Sequence, residues 1–110
     1  MTIESCMQLV ETMLPNRVSN EVKLRFLGEA EWKVRVELLG EDPQTLPIFD
    51  PSTPKSTELT APHPYDQLYW QYVLAMLSYA SGDVARYENA AGLFNASYQS
   101  FGKWLKRRGA

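Results

Sequence analysis

The residues best suited to chemistry in this chain are few, and they lie far apart. Cys6 and His63 are its single cysteine and single histidine, so neither has the partner that a disulfide, a zinc site or a catalytic dyad needs. Cys6 falls on an apolar helical stripe, which favours a buried structural thiol. His63 stands between two prolines, which favours a capping or surface role. Phosphate-binding loops, dinucleotide fingerprints and nucleophile elbows are absent from the sequence, so we expect no catalysis, cofactor or metal.

Glu29, Glu31 and Glu37 are close enough along the chain to suggest a carboxylate site. Basic residues are near them, however: Lys33 and Arg35 follow Glu29 and Glu31 by four positions. This spacing brings opposite charges together on the surface of a helix. The pattern therefore favours a solvated charged face over general acid–base or metal chemistry.

Aromatic residues concentrate in the C-terminal half, where residues 65–104 hold ten of the thirteen. Such side chains can stack on nucleic-acid bases, but these follow the spacing of a helical core. Tyrosine and tryptophan also suit protein interfaces, because each joins a large apolar body to a polar tip. We therefore predict a core together with a protein–protein interface. The interface candidates are Tyr65, Tyr69, Trp70, Tyr72, Tyr79, Trp104 and, from the middle of the chain, Phe49.

Charge is distributed unevenly along the chain. Residues 1–66 hold eleven acidic and six basic side chains, whereas residues 67–110 hold two acidic and five basic ones. The basic end has three interpretations that the sequence leaves open. It could contact phosphates, meet an acidic surface on another copy, or lie at a helix C-terminus, whose partial negative charge favours cations. The possible phosphate contacts are Lys103, Lys106, Arg107 and Arg108.

Apolar spacing predicts two helices in the first part of the chain. Over residues 2–14, apolar residues recur every three or four positions until Pro15, which is typical of a helix. Residues 19–39 are ambiguous, because alternation favours a strand whereas one helical row and the acid–base pairs favour a helix. We predict a helix there, with Gly28 as its weak point and Gly40 as its end.

Proline interrupts the middle of the chain, where six of the seven prolines lie between Pro43 and Pro64. Because proline is excluded from helix interiors, residues 41–63 are predicted to form a long irregular connection, with short extended pieces possible at 46–49 and 57–60. A loop of this length is unusual inside a compact domain. Two interpretations remain open: an arm that binds a partner, or a mobile linker.

Residues 64–108 are predicted to form a helical hairpin. The first helix, residues 64–80, is apolar on nearly all sides and must therefore be buried on several of them. The second, residues 83–107, carries a heptad pattern, and the short turn between the two makes them antiparallel. Small residues at 90–92 leave room for another helix. The first helix holds more apolar surface than a monomer of this size is expected to bury, which predicts an interface.

Length and composition fit one small domain. The chain has 110 residues, of which 45% are hydrophobic and 22% charged, with a formal net charge of −2, and this excludes disorder along its whole length. No run reaches the ~18–20 apolar residues of a membrane span, and the N-terminus lacks a signal-peptide pattern. We predict a single all-α domain over 1–110, a small bundle of about four helices. It divides into N-terminal helices over 1–40, a Pro-rich arm or loop over 41–63 and a C-terminal antiparallel hairpin over 64–108.

The second half of the chain carries residues that resemble a known family. They comprise PYDQLY at 64–69, GD at 82–83, RYEN at 86–89 and FNASY at 94–98, with Tyr72, Ala75, Tyr79 and Trp104. The stretch EVKLRFL at 21–27 resembles the start of that family's second helix. These segments resemble the small head–tail connector (head completion, neck) proteins of tailed phages and prophages of Gram-positive bacteria.

This resemblance implies an all-helical virion structural protein that assembles into a ring beneath the portal and performs no catalysis. Its implied partners are further copies of itself and portal or tail-adaptor proteins, and its implied location is the virion, after assembly in the cytoplasm of the host bacterium. The alternative function is that of a small phage DNA-binding or packaging factor that uses the basic C-terminal helix end. A small enzyme or ligand-binding bundle with a pocket among the tyrosines is the least favoured interpretation.

Overall fold

The computed structural model describes residues 1–109, which form four α-helices. In chain order these are α1 (Ile3–Met13), α2 (Asn20–Lys33), α3 (Gln67–Ser81) and α4 (Val84–Gly109). A π-helical turn, Val34–Leu38, continues α2, and a short 3-10 turn lies at Pro43–Thr45. Within the described residues no strand forms, and one isolated bridge pairs Thr2 with Glu58. The predicted all-α bundle is therefore confirmed.

Side-chain caps begin the first two helices where the sequence predicts them. The Thr2 hydroxyl accepts the amide N–H of Ser5 at 3.1 Å, and the Ser5 hydroxyl accepts the amide N–H of Thr2 at 2.9 Å. At the start of α2, Ser19 accepts the amide N–H of Val22 at 3.3 Å. Such caps satisfy amide groups that have no partner inside the helix. The helical interpretation of residues 19–39 is thus correct, although its last turn is π-helical rather than α-helical.

The π-helical turn sets which apolar side chains at the end of α2 are covered. The Leu39 amide reaches back five residues to the Val34 carbonyl at 3.1 Å, and the chain then reverses at Gly40, whose φ is +71°. Leu38 packs on α4, where a Cβ added at Gly102 would lie 3.5 Å from its methyl group. Leu39 is left 41% exposed. The turn therefore places one leucine inside and the next outside.

Three aromatic pairs fix the register of the α3–α4 hairpin. The rings that meet are Tyr79 and Tyr87 (5.5 Å between centroids), Tyr72 and Phe94 (5.1 Å), and Tyr65 and Phe101 (5.4 Å). From one pair to the next, the residue number decreases by seven in the first chain segment and increases by seven in α4. That is the register of antiparallel helices joined along a heptad seam. The turn between them is closed by Gly82, whose positive φ of 78° suits glycine.

The expectation that α3 carries more apolar surface than one copy can bury is wrong. Seven of its residues are buried against the rest of the chain, and Tyr79 is the one large apolar side chain of α3 that is exposed. Burial comes from α4 on one side and from α1 and α2 on others. The buried residues are Leu68, Tyr69, Gln71, Val73, Ala75, Leu77 and Ser78. Much of the apolar surface that was expected to form an interface therefore belongs to the core of the monomer.

Residues 41–63, which we call the strap, pack against the helices over much of their length. Phe49 is buried and lies over Gly28, where an added Cβ would be 3.4 Å from the Phe49 Cβ. The first two amides of α1 donate to the carbonyls of Lys55 and Thr57, both at 3.0 Å. The strap thus satisfies helix-end amides that a capping side chain does not reach. It is neither a free arm nor a loose linker, and it explains why a glycine is placed within α2.

Substitution of Gly92 tests whether the small residues of α4 are needed for packing within the monomer. A Cβ added there would have no heavy atom within 4 Å, whereas Gly82 adopts a positive φ. Because glycine weakens a helix interior, we expect Gly92→Ala to raise the free energy of unfolding by about 0.5–1 kcal/mol. Gly82→Ala should lower it by a similar amount. Urea unfolding measures both, and destabilisation by Gly92→Ala would show that this position packs closely in the folded monomer.

Candidate protein-binding surface

The residues first considered for chemistry differ in their surroundings. Cys6 is fully buried, whereas the His63 side chain is 82% exposed and lies 3.5 Å from the Asp66 carboxylate. In residues 1–109, no three histidine, cysteine or acidic side chains come together as a metal site would require. The thiol is therefore buried and the imidazole exposed, which gives no sign of a nucleophile–base pair.

Cys6 is expected to be unreactive while the protein is folded. Burial, and after it the nearby Asp66 charge, raises the pKa of the thiol to about 12, and the thiolate is the reactive form. We expect a thiol-reactive dye near pH 8 to label the folded chain at least ~100-fold more slowly than the urea-unfolded chain. Equal labelling rates would show that α1 opens readily.

Glu31 is buried, although the sequence analysis predicts that its side chain faces solvent. It was assigned to a solvated charged face with Glu29 and Glu37, and both of those are exposed. Glu31 instead is 6% exposed, because α2 turns it towards α3 and the strap. The sequence carried one signal of this, since Leu24, Leu27 and Glu31 share a helical face.

Glu31 organises a hydrogen-bonded cluster, which we call the Glu31 cluster: Glu31, Thr60, Ala61 and Tyr69. The carboxylate accepts the Tyr69 hydroxyl at 2.6 Å, the Thr60 hydroxyl at 2.9 Å and the Thr60 amide at 3.1 Å. The Tyr69 oxygen in turn accepts the Ala61 amide at 2.9 Å. Burial, with the Glu31 charge as the next cause, raises the Tyr69 pKa well above its ordinary value. Since its oxygens are occupied by donors from the strap and α3, this carboxylate holds the strap in place.

Two of the predicted interface residues belong to the core. Tyr69 is 0% exposed and Phe49 is 5% exposed, so the prediction that they lie at an interface is wrong for this fold. The physical reason is the packed strap, which places Phe49 over Gly28 and closes over the Tyr69 hydroxyl. Sequence spacing alone does not show that a proline-rich segment will cover a helix.

The other five interface candidates retain exposed surface to different degrees. Tyr79 is 69% exposed at the tip of the hairpin. The remaining four, Tyr65, Trp70, Tyr72 and Trp104, are half-buried. Tyr65 and Trp104 stack with Phe101, and the Tyr72 hydroxyl donates to Glu29 at 2.8 Å. Tyr65 and Trp104 lie together, 5.5 Å between ring centroids, at the opposite end of the hairpin from Tyr79.

An apolar groove lies between α2 and the strap, and sequence reasoning missed most of it. We call it the Trp32 groove; its volume is about 640 Å³, and Gly28, Trp32, Leu46, Ile48, Phe49 and Tyr72 supply its apolar lining. Trp32 is 42% exposed and Ile48 is 79% exposed. Arg25, Glu29 and Lys33 add charged groups. An aromatic and an aliphatic side chain exposed side by side are typical of an interface.

A second groove lies between the end of α2 and the C-terminal part of α4. We call it the Leu39 groove; its volume is about 690 Å³ and its lining includes Leu38, Leu39, Tyr98, Leu105, Lys103 and Lys106. The Tyr98 hydroxyl donates to the Glu37 carboxylate at one edge, and burial raises the Tyr98 pKa above its ordinary value, with that hydrogen bond as the next cause. The lining of this groove therefore combines apolar leucine side chains with two positively charged lysines.

The basic end lies on the last turns of α4, where cations complement the helix dipole. None of Lys103, Lys106, Arg107 and Arg108 takes part in the ion pairs that the described residues form. The Arg108 guanidinium lies 5.0 Å from the Trp104 ring centroid, a cation–π distance. Two of the three interpretations of the basic end, contact with phosphates and contact with another copy, remain predictions.

No helix in the part of the chain that the structure describes has the length and apolar character needed to cross a membrane. Comparisons with protein-family models, curated proteins and solved structures found no match to this chain.

Proposed function

We propose that this protein is a non-catalytic virion structural protein, a head–tail connector of a tailed phage or prophage. It acts by associating with further copies of itself and by docking on portal or tail-adaptor proteins. The observation that carries the proposal is the apolar surface around Trp32 and Ile48, which is exposed although the core is fully formed without it. The resemblance of the hairpin residues to the connector family is the reason for proposing the head–tail junction as the assembly in which the chain takes part.

The exposed side chains sit on a framework that suits a docking role. Trp32 projects from a regular helix, and Ile48 directly precedes Phe49, which is buried against α2. A surface held in place before binding loses little conformational entropy when a partner covers it. Tryptophan is also among the residues that contribute most to binding energy at interfaces. These features support assembly through protein contacts.

Light scattering of the chain with the portal protein of the same phage tests this function. We expect a complex of defined mass, and we expect Trp32→Ser to weaken it at least about tenfold. Leu93→Ser is the matched control, because Leu93 is similarly exposed at 46% but lies on α4, away from the Trp32 groove. A chain that leaves the portal protein unchanged at all concentrations would contradict the proposal.

DNA binding is the second candidate function, and the unpaired cations at the end of α4 favour it. A protein that neutralises phosphates loses affinity steeply as salt concentration rises. Titration of duplex DNA at increasing salt therefore separates the two functions. Strong binding at low salt, abolished by Lys103→Glu/Lys106→Glu, would support the DNA-binding function, and absence of binding at low salt would remove it.

A further inference from the structure

The strap presents its most exposed apolar residue between two fixed acidic turns. Ile48 is 79% exposed, the largest fraction among the exposed large apolar side chains of the described residues. Asp42 accepts the Gln44 amide at 2.9 Å and Asp50 accepts the Ser52 amide at 2.8 Å, so a side-chain hydrogen bond closes a turn on each side of Ile48. We call residues 42–50 the Ile48 loop.

The charge of the Ile48 loop is negative. It contains Asp42 and Asp50 and no basic residue. Hydrogen bonds from Ser52 and Thr53 hold the Asp50 pKa below its ordinary value, which keeps this carboxylate ionised. Arg25 and Lys33 lie nearby on α2, and Lys33 is already 3.5 Å from the Glu37 carboxylate. The loop is therefore an apolar knob flanked by two carboxylates.

The Leu39 groove has the opposite character. Leu38, Leu39 and Leu105 contribute apolar surface to its lining, and Lys103 and Lys106 contribute positive charge. Neither lysine takes part in an ion pair of the described residues. Glu37, the acidic residue in the lining, is engaged by Tyr98 and Lys33. An apolar side chain flanked by carboxylates matches this groove in both charge and polarity.

We propose that the Ile48 loop of one copy docks in the Leu39 groove of a second copy. Ile48 of the first copy contacts the leucines that line the groove of the second. Asp42 and Asp50 of the first copy face Lys103 and Lys106 of the second. The Leu39 groove and the Ile48 loop share no residue, so each copy can donate its loop to one neighbour and receive the loop of another. Such a contact is heterologous and closes into a ring when the rotation between copies permits. This inference rests on the self-association that the proposed function requires, and it names the two surfaces.

Two complementary variants test the contact by sedimentation velocity over a concentration series. In the loop variant, Asp42→Asn, Ile48→Lys and Asp50→Asn make the loop basic, and asparagine retains the oxygen that closes each turn. In the groove variant, Lys103→Glu and Lys106→Glu make the groove acidic. In each variant the loop and the groove then carry charge of the same sign and repel each other. We therefore expect each variant alone to associate at least about tenfold more weakly than the wild type.

Mixing the two variants gives the decisive result. The basic loop of the loop variant fits the acidic groove of the groove variant, and the unaltered acidic loop of the groove variant fits the unaltered basic groove of the loop variant. We therefore expect the mixture to regain association beyond that of either variant alone, with the two variants alternating one to one in the assembly. Val84→Lys, at a position 65% exposed at the hairpin tip, is the control for added surface charge and should associate as the wild type does.

Three outcomes would overturn this contact: a wild type that stays monomeric throughout, variants that associate as the wild type does, or a mixture that stays monomeric. The proposed function would fail differently, through absence of any complex with the portal protein. If the chain binds the portal protein but the substitutions do not change its self-association, the proposed function is retained and the loop-in-groove contact is rejected.

Discussion

Glu31→Ala is expected to lower the free energy of unfolding by about 3–4 kcal/mol. The change leaves the Tyr69 hydroxyl, the Thr60 hydroxyl and the Thr60 amide without their acceptor. Hydrogen bonds to a charged group contribute more than neutral ones, and buried groups that lose a partner keep their desolvation cost. The strap should also become more accessible to protease, because one of its attachments to α2 is lost. Urea unfolding and limited proteolysis measure the two effects.

Glu29→Ala is the matched control for this prediction. Glu29 lies two residues earlier on the same helix and is exposed, although it also accepts a tyrosine hydroxyl, from Tyr72. We expect it to cost less than about 1 kcal/mol, as for most surface substitutions. A Glu31→Ala protein as stable as Glu29→Ala, with its strap still protected, would show that the buried cluster does not hold the strap.

Phe101→Ala is expected to cost about 3–5 kcal/mol, the range for truncation of a buried aromatic side chain. Phe101 is 1% exposed, and its ring lies 5.4 Å from Tyr65 and 6.0 Å from Trp104 between centroids. Its removal leaves a cavity where α4 meets the segment that precedes α3, and it removes two aromatic contacts. Thermal unfolding, followed by circular dichroism, reports the loss.

Leu93→Ala provides the comparison on the same helix. Leu93 is 46% exposed, so its truncation removes little buried surface, and we expect a change below about 1 kcal/mol. Equal losses at the two positions would contradict the heptad seam that assigns Phe101 to the core and Leu93 to the surface.

The helices could be predicted because their signals are local. Thr2 and Ser19 cap α1 and α2 at the positions where the predicted helices 2–14 and 19–39 begin. The seven-residue spacing of Tyr87, Phe94 and Phe101 corresponds to the observed aromatic pairs. Caps and periodicity depend on residues a few positions apart, so the sequence contains all the information they need.

The candidate surface could not be predicted, because it depends on contacts between distant parts of the chain. Burial of Phe49 and Tyr69 requires the strap to return over α2, and the inward turn of Glu31 requires Thr60, which is twenty-nine residues away. Exposure of Trp32 and Ile48 follows from the same packing. Side-chain type indicates that a residue can be buried, but not which of several apolar residues the fold leaves outside.

Analysis of phage particles from the organism that encodes this chain tests the proposed connector function most directly. We predict that mass spectrometry of purified particles detects the chain in several copies per particle, and that antibody labelling in electron micrographs places it at the neck between head and tail. Complete, infective particles that contain none of this chain would contradict its assignment as a connector.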